Sequence, residues 1–213
     1  MPKPTPTRAP EAGPTSAGPT CILAAIVACG FAYGLSRFTG WLSESVDMPV
    51  GTPILVTAGL LSLVAPSAVG LHWGTTGRQW KIVTGALAVV AVITVAFRLT
   101  GSSVPYEPSV GEFVLVPVGE ELMFRGLVLG ILLTQLRHRG LESRASMWAV
   151  LLSALAFGLG HAGNLGYVDS QFVALQVCVA TTFGLLAGWL RVKTDSLVGP
   201  VLLHVTMNVL AVT

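Results

Sequence analysis

The chain has 213 residues, 53% of them hydrophobic and only 10% charged, with a formal net charge of +2 and a mean hydropathy of +0.75. Soluble domains carry about 25% charged residues, so the composition excludes an ordinary soluble domain and points to a multi-pass membrane protein. The small positive balance forms no basic run, which argues against nucleic acid as a partner.

Residues 1–20 are rich in Pro, Thr and Ala and contain no apolar core, so they read as a disordered tail. The apolar segment that follows has no convincing cleavage site and precedes further spans, so it is read as a retained helix and not as a signal peptide. A hydrocarbon core of about 30 Å takes about 20 apolar residues per helix. Seven segments approach that length: 21–38, 52–73, 82–99, 112–136, 147–163, 171–190 and 197–212. The fifth is short enough to be tilted or recessed. The prediction is an all-α, polytopic transmembrane helical bundle forming a single domain over 21–213, whose chemically informative part is 112–213. Cys21, Cys29 and Cys178 all lie in apolar segments without a CxxC pair. They are read as buried packing residues, with neither a disulfide framework nor a thiolate zinc site indicated.

Basic residues concentrate in loops on the cytoplasmic side of a membrane protein. Lys3, Arg8, Arg78, Lys81, Arg137, Arg139, Arg144, Arg191 and Lys193 fall on one side of the seven-span arrangement, and only Arg37 and Arg98 on the other. This predicts a multi-pass cell-membrane protein with its N-terminus cytoplasmic and its C-terminus outside. Two connections, 102–111 (SSVPYEPSVG) and 162–170 (AGNLGYVDS), are either irregular backbone lining a polar cavity or ordinary surface loops.

The stretch 116–129, VPVGEELMFRGLVL, sets two glutamates and an arginine in an apolar run. Each ionised side chain at bilayer depth costs about 2.5–3.5 kcal/mol on insertion scales, so the cluster needs a reason. Glu121 and Arg125, four residues apart, share a helix face and should pair. Glu120 is rotated by about 100° from Glu121 and is left for other work. One buried charge cluster that only fixes packing is the competing reading. Phe157 and His161 repeat the four-residue spacing in FGLGH, and the intervening glycines, Gly158 and Gly160, would let a neighbouring helix come close. His204 and Asn208 repeat it again, after a proline, Pro200, expected to bend the last helix. Taken singly, His161 is equally a core residue, and His204 with Asn208 an ordinary interhelical hydrogen-bonding pair.

Alternation of the spans places Glu120, His161, His204 and Asn208 in the same half of the membrane. A carboxylate with a histidine can take a proton from water, and an imidazole with an amide can stabilise a carbonyl oxygen as it becomes negative. That combination suits amide hydrolysis by an activated water; no serine or cysteine is evidently paired with a histidine.

Glu120-Glu121-x-x-x-Arg125, Phe157-x-x-x-His161 and His204-x-x-x-Asn208 resemble, in order and on separate helices, the three motifs of the CPBP family of intramembrane endopeptidases. That family includes the CAAX prenyl proteases and the bacterial Abi-type proteins. The resemblance covers the chain from Glu112 onward. It implies a membrane protease in which Glu120 and His161 activate the water, His204 and Asn208 stabilise the oxyanion, and Glu121, Arg125 and Phe157 support them. The implied partners are a peptide or protein substrate at the membrane and the lipid bilayer itself. No cofactor is expected; zinc, held by Glu120, His161 and His204, is the alternative, although no HExxH is present. The competing functions are a non-catalytic scaffold or bacteriocin self-immunity protein of the same fold, and a proton-coupled transporter, against which the absence of an inverted repeat counts.

Overall fold

The structure is a computed structural model that describes residues 52–64, 76–99, 111–138 and 142–212, together with Gly30, Gly34, Arg37, Phe38, Trp41, Leu42 and Ser45. The expected tail at 1–20, most of the expected span 21–38, Cys21, Cys29 and nearly all of the 102–111 connection lie outside the described residues.

The described residues are helical apart from short turns. Helix α1 is Thr52–Val64 and α2 is Gly77–Leu99. The stretch 111–138 is one continuous rod of alternating pitch: a π-helical turn at Gly111–Leu115, α3 at Val116–Glu121, a second π-helical segment at Leu122–Val128, and α4 at Leu129–His138. Helix α5 is Glu142–Gly160, followed by a 3-10 turn at His161–Asn164, then α6 at Ser170–Thr194 and α7 at Val198–Val212.

By length and composition, Gly77–Ala96, Arg144–Asn164 and Ser170–Thr194 can each cross a membrane, and Val198–Leu210 is a shorter apolar helix. These correspond to the expected third, fifth, sixth and seventh spans. The fifth is longer than its apolar run suggested, because α5 begins at Glu142, before the first strongly apolar residue. Of the expected second span, Thr52–Val64 lies within the described residues and is helical. The rod at 111–138 is helical throughout but carries three ionised residues close together.

The helix ends also run past the expected spans. Arg78 and Lys81 sit in the first turns of α2, and Arg191 and Lys193 in the last turn of α6. Apolar length marks only the part of a helix in hydrocarbon, whereas long basic side chains continue it into the headgroup region. Thr76 and Gln79 cap α2 reciprocally: the Thr76 amide donates to Gln79 Oε1 at 2.6 Å, and the Gln79 amide to Thr76 Oγ1 at 3.4 Å. Gln79 Nε2 also donates to the Thr194 carbonyl at 3.1 Å, tying the start of α2 to the end of α6. At the other end of α6, Arg37 Nη1 donates to the Gly163 carbonyl at 2.9 Å. Gln79 and Arg37 thus engage opposite ends of the α6 region.

Pro200 does not bend α7. It is the third residue of that helix, where a missing amide is tolerated. The carbonyl it would have engaged, that of Ser196, accepts instead from Thr194 Oγ1 at 3.3 Å. Cys178, expected to be buried, is exposed on α6 among other outward apolar residues such as Leu175 and Val179, a face suited to lipid.

The central core joins Ala58 of α1, Val83 and Val90 of α2, Phe124 and Leu127 of the π-helical segment, Phe157 of α5, Phe183 and Leu190 of α6, and Leu203 of α7. A second cluster packs α4 on the first half of α5. Close approach depends on small residues. A Cβ at Gly158 would collide with Thr181 and lie 2.9 Å from the Val177 carbonyl, so the glycine admits α6, as the FGLG sequence suggested. A Cβ at Gly119, beside the glutamates, would lie 2.8 Å from the Leu55 backbone nitrogen. Gly119→Ala should therefore destabilise the protein by about 1–3 kcal/mol, because backbone must shift to admit the methyl group. Gly85→Ala, where the added methyl meets open space, should be neutral or stabilising by up to about 1 kcal/mol. Reversible unfolding in mixed detergent compares the two.

Candidate active site

The site is built where α3 and the following π-helical segment face α5 and α7. Glu120 and Glu121 end α3, and Arg125 lies within the π-helical segment. Segments of this kind are rare and recur at functional sites, because the wider turn redirects side chains and loosens the backbone ladder. One carbonyl there, that of Phe124, accepts a hydrogen bond from Ser153 Oγ of α5 at 2.8 Å.

Glu121 and Arg125 pair as their spacing predicts. Arg125 Nη1 lies 3.0 Å from Glu121 Oε1, and both side chains are wholly buried. The same Glu121 oxygen is 2.9 Å from His204 Nδ1. An ionised carboxylate only accepts, so against ionised Glu121 the Nδ1–H donates, which turns Nε2 the other way. There Nε2 lies 3.7 Å from Glu120 Oε2. The two glutamates diverge on their helix, yet one imidazole reaches both because its nitrogens point in different directions. Glu121 is sealed, whereas the Glu120 side chain keeps 17% of its surface exposed.

Arg125 is held largely by aromatic faces. Its Cζ lies 4.2 Å from the Phe157 ring centroid and 5.6 Å from that of Phe183. Its Nε and Nη2, like Glu121 Oε2, are buried without a hydrogen-bond partner. Desolvation strengthens attraction between a cation and a ring, so Phe157 and Phe183 supply part of what water would have given.

Phe157 is the hub of the site. Its ring meets Phe124 at 5.2 Å, His161 at 5.1 Å and His204 at 5.8 Å between centroids, all close to edge-to-face. Phe183 lies 4.8 Å from the His204 ring. His161 stands half-buried at the junction of α5 and the 3-10 turn, with Nδ1 3.1 Å from the Phe157 carbonyl. A carbonyl cannot donate, so Nδ1 carries the hydrogen, and in the neutral ring Nε2 is the proton acceptor.

The structure thus gathers Glu120, Glu121, Arg125, Phe157, His161 and His204 into one neighbourhood. Asn208 lies one turn beyond His204 on α7 and is half-buried. His204 reaches Glu120 through Nε2 at 3.7 Å, while His161 engages the Phe157 carbonyl through Nδ1. Sequence reasoning passed over Ser153 and Phe183. Both sit in apolar runs with no distinguishing spacing, so only the packing reveals them. The 162–170 connection is a compact turn with exposed residues from Leu165 onward; Asn164 Nδ2 donates to Gln176 Oε1 at 2.8 Å, and Asp169 Oδ1 caps α6 by accepting from the Gln171 and Phe172 amides at 2.8 and 3.2 Å.

Among the described residues, no three His, Cys, Asp or Glu side chains are arranged to hold a metal ion. The Nδ1 contacts of His161 and His204, to the Phe157 carbonyl and to Glu121, are also those that orient an imidazole for ligation through Nε2.

Residues 108–210 match the family described as type II CAAX prenyl endopeptidase, Rce1-like. No curated protein and no solved structure gives a significant match.

The buried pair predicts a strong asymmetry between single and double replacement. Arg125→Met should cost about 3–5 kcal/mol of folding stability by leaving Glu121 uncompensated in the core. Combining it with Glu121→Leu should recover much of that loss, measured by the same detergent unfolding.

Proposed function

We propose, from the match of residues 108–210 to the Rce1-like family of type II CAAX prenyl endopeptidases, that the chain is an intramembrane endopeptidase that hydrolyses peptide bonds of membrane-associated peptides or proteins with an activated water. The observation that carries this reading is His204 lying between two glutamates of unlike environment, one sealed by Arg125 and the other open.

In this reading Glu121 and Arg125 are positioning residues. They hold His204 by Nδ1 and so present Nε2 toward Glu120. A water within hydrogen-bond reach, about 2.8 Å, of both Glu120 and His204 would sit beside the line that joins them. Glu120 takes a proton from that water as its oxygen attacks the scissile carbonyl carbon. His161, whose Nδ1–H is committed to Phe157, orients the water through Nε2. The proton passes from Glu120 to His204 Nε2, which then becomes a donor and, with the Asn208 amide, faces the oxygen that has become negative. Collapse of the tetrahedral intermediate breaks the C–N bond, and the proton leaves with the amine. No metal enters the scheme. With the N-terminus cytoplasmic, the site opens in the outer half of the membrane.

The test is cleavage of membrane-associated peptides by the purified protein in nanodiscs. Glu120→Gln and His204→Gln should each lower kcat/KM by about 10²–10⁴ with the fold retained. Full cleavage by Glu120→Gln would remove the mechanism.

A further inference from the structure

Arg37 comes from the first apolar segment, outside the family match at 108–210 and outside the machinery described above. Its Nη1 donates to the Gly163 carbonyl at 2.9 Å, and its Cζ lies 4.8 Å from the centroid of the Tyr167 ring. Both contacts fall on the turn that begins with His161. The Gly163 carbonyl lies just past the end of α5, where the last carbonyls lack helical partners and the helix dipole is negative, so a cation is doubly suited there. A planar guanidinium can donate in its plane and stack on a ring at once, which an ammonium cannot.

The opposite side of the same turn is fastened to α6 by the Asn164–Gln176 hydrogen bond at 2.8 Å. Between the two fastenings the chain reverses at Gly166, whose φ of 91° is open to glycine. His161 therefore stands at the root of a short turn clamped from two directions, one of which is Arg37.

We infer that Arg37 is a positioning residue for His161: it latches the His161–Tyr167 turn and so sets where the imidazole stands relative to Glu120. The inference rests on the protease reading for the role of His161, but the latch itself is tested without catalysis. In full-length protein in nanodiscs with ¹³C-labelled histidine, the His161 ring signal is identified by its loss in His161→Gln. Arg37→Ala should shift or broaden that signal and leave the His204 signal in place, while Arg37→Lys restores part of the effect. In the cleavage assay Arg37→Ala should lower kcat by about 10- to 100-fold with KM little changed, as expected for a misplaced group and not a lost substrate contact. If Arg37→Ala does not fold, Tyr167→Leu, which removes the ring beneath the guanidinium, carries the same comparison. An unchanged His161 signal in the folded variant overturns the latch, whatever the cleavage rate. Failure of the wild-type protein to cleave peptides overturns the protease reading alone.

Discussion

The Glu121 carboxylate oxygen that faces both Arg125 and His204 is the contact on which the site depends. At 3.0 Å from a guanidinium and 2.9 Å from an imidazole, in a wholly buried position, it fixes two side chains on two different helices. Without it Arg125 would be a buried cation held only by ring faces, and His204 would lose the partner that sets its tautomer. The surrounding packing serves the same end. Gly119 lets α1 close over the glutamates, Gly158 brings α6 against α5, and Phe157 lies at once against Arg125, His161 and His204.

This arrangement separates cost from work. A sealed ion pair is expensive in a membrane interior and adds little net stability over apolar packing, so its persistence asks for another reason. Here the reason is orientation: the sealed glutamate holds the imidazole, and the half-open glutamate meets the imidazole's other nitrogen. The π-helical segment after Glu121 belongs to the same solution. Its wide turn carries Arg125 to the aromatic faces, and Ser153 satisfies a carbonyl within it.

Much of this was legible in the sequence because charges in apolar helices are conspicuous and helical spacing is reliable over one turn. The Glu121–Arg125 pair, the Phe157–His161 contact, the separation of Glu120 from its neighbour and the role of Gly158 all follow from four-residue spacing or small-residue patterns. What depends on rotation between helices was not legible. Depth alone does not show that one imidazole, His204, reaches both glutamates, and a change of pitch inside the glutamate helix has no simple residue signature. The start of the last helix was legible to within one residue, but the expected bend at Pro200 is not needed, because a proline in the first turn interrupts no helical hydrogen bond. Arg37 looked like an isolated loop charge, since its partners are a backbone carbonyl and a tyrosine more than a hundred residues away.

The claim that Glu121 and His204 act as one unit is tested most directly by a double-mutant cycle on folding free energy. Glu121→Gln, His204→Gln and the combined variant are unfolded reversibly in detergent beside the wild type. The account predicts a coupling of about 0.5–3 kcal/mol between the two positions. Effects that add to within about 0.3–0.5 kcal/mol would contradict it.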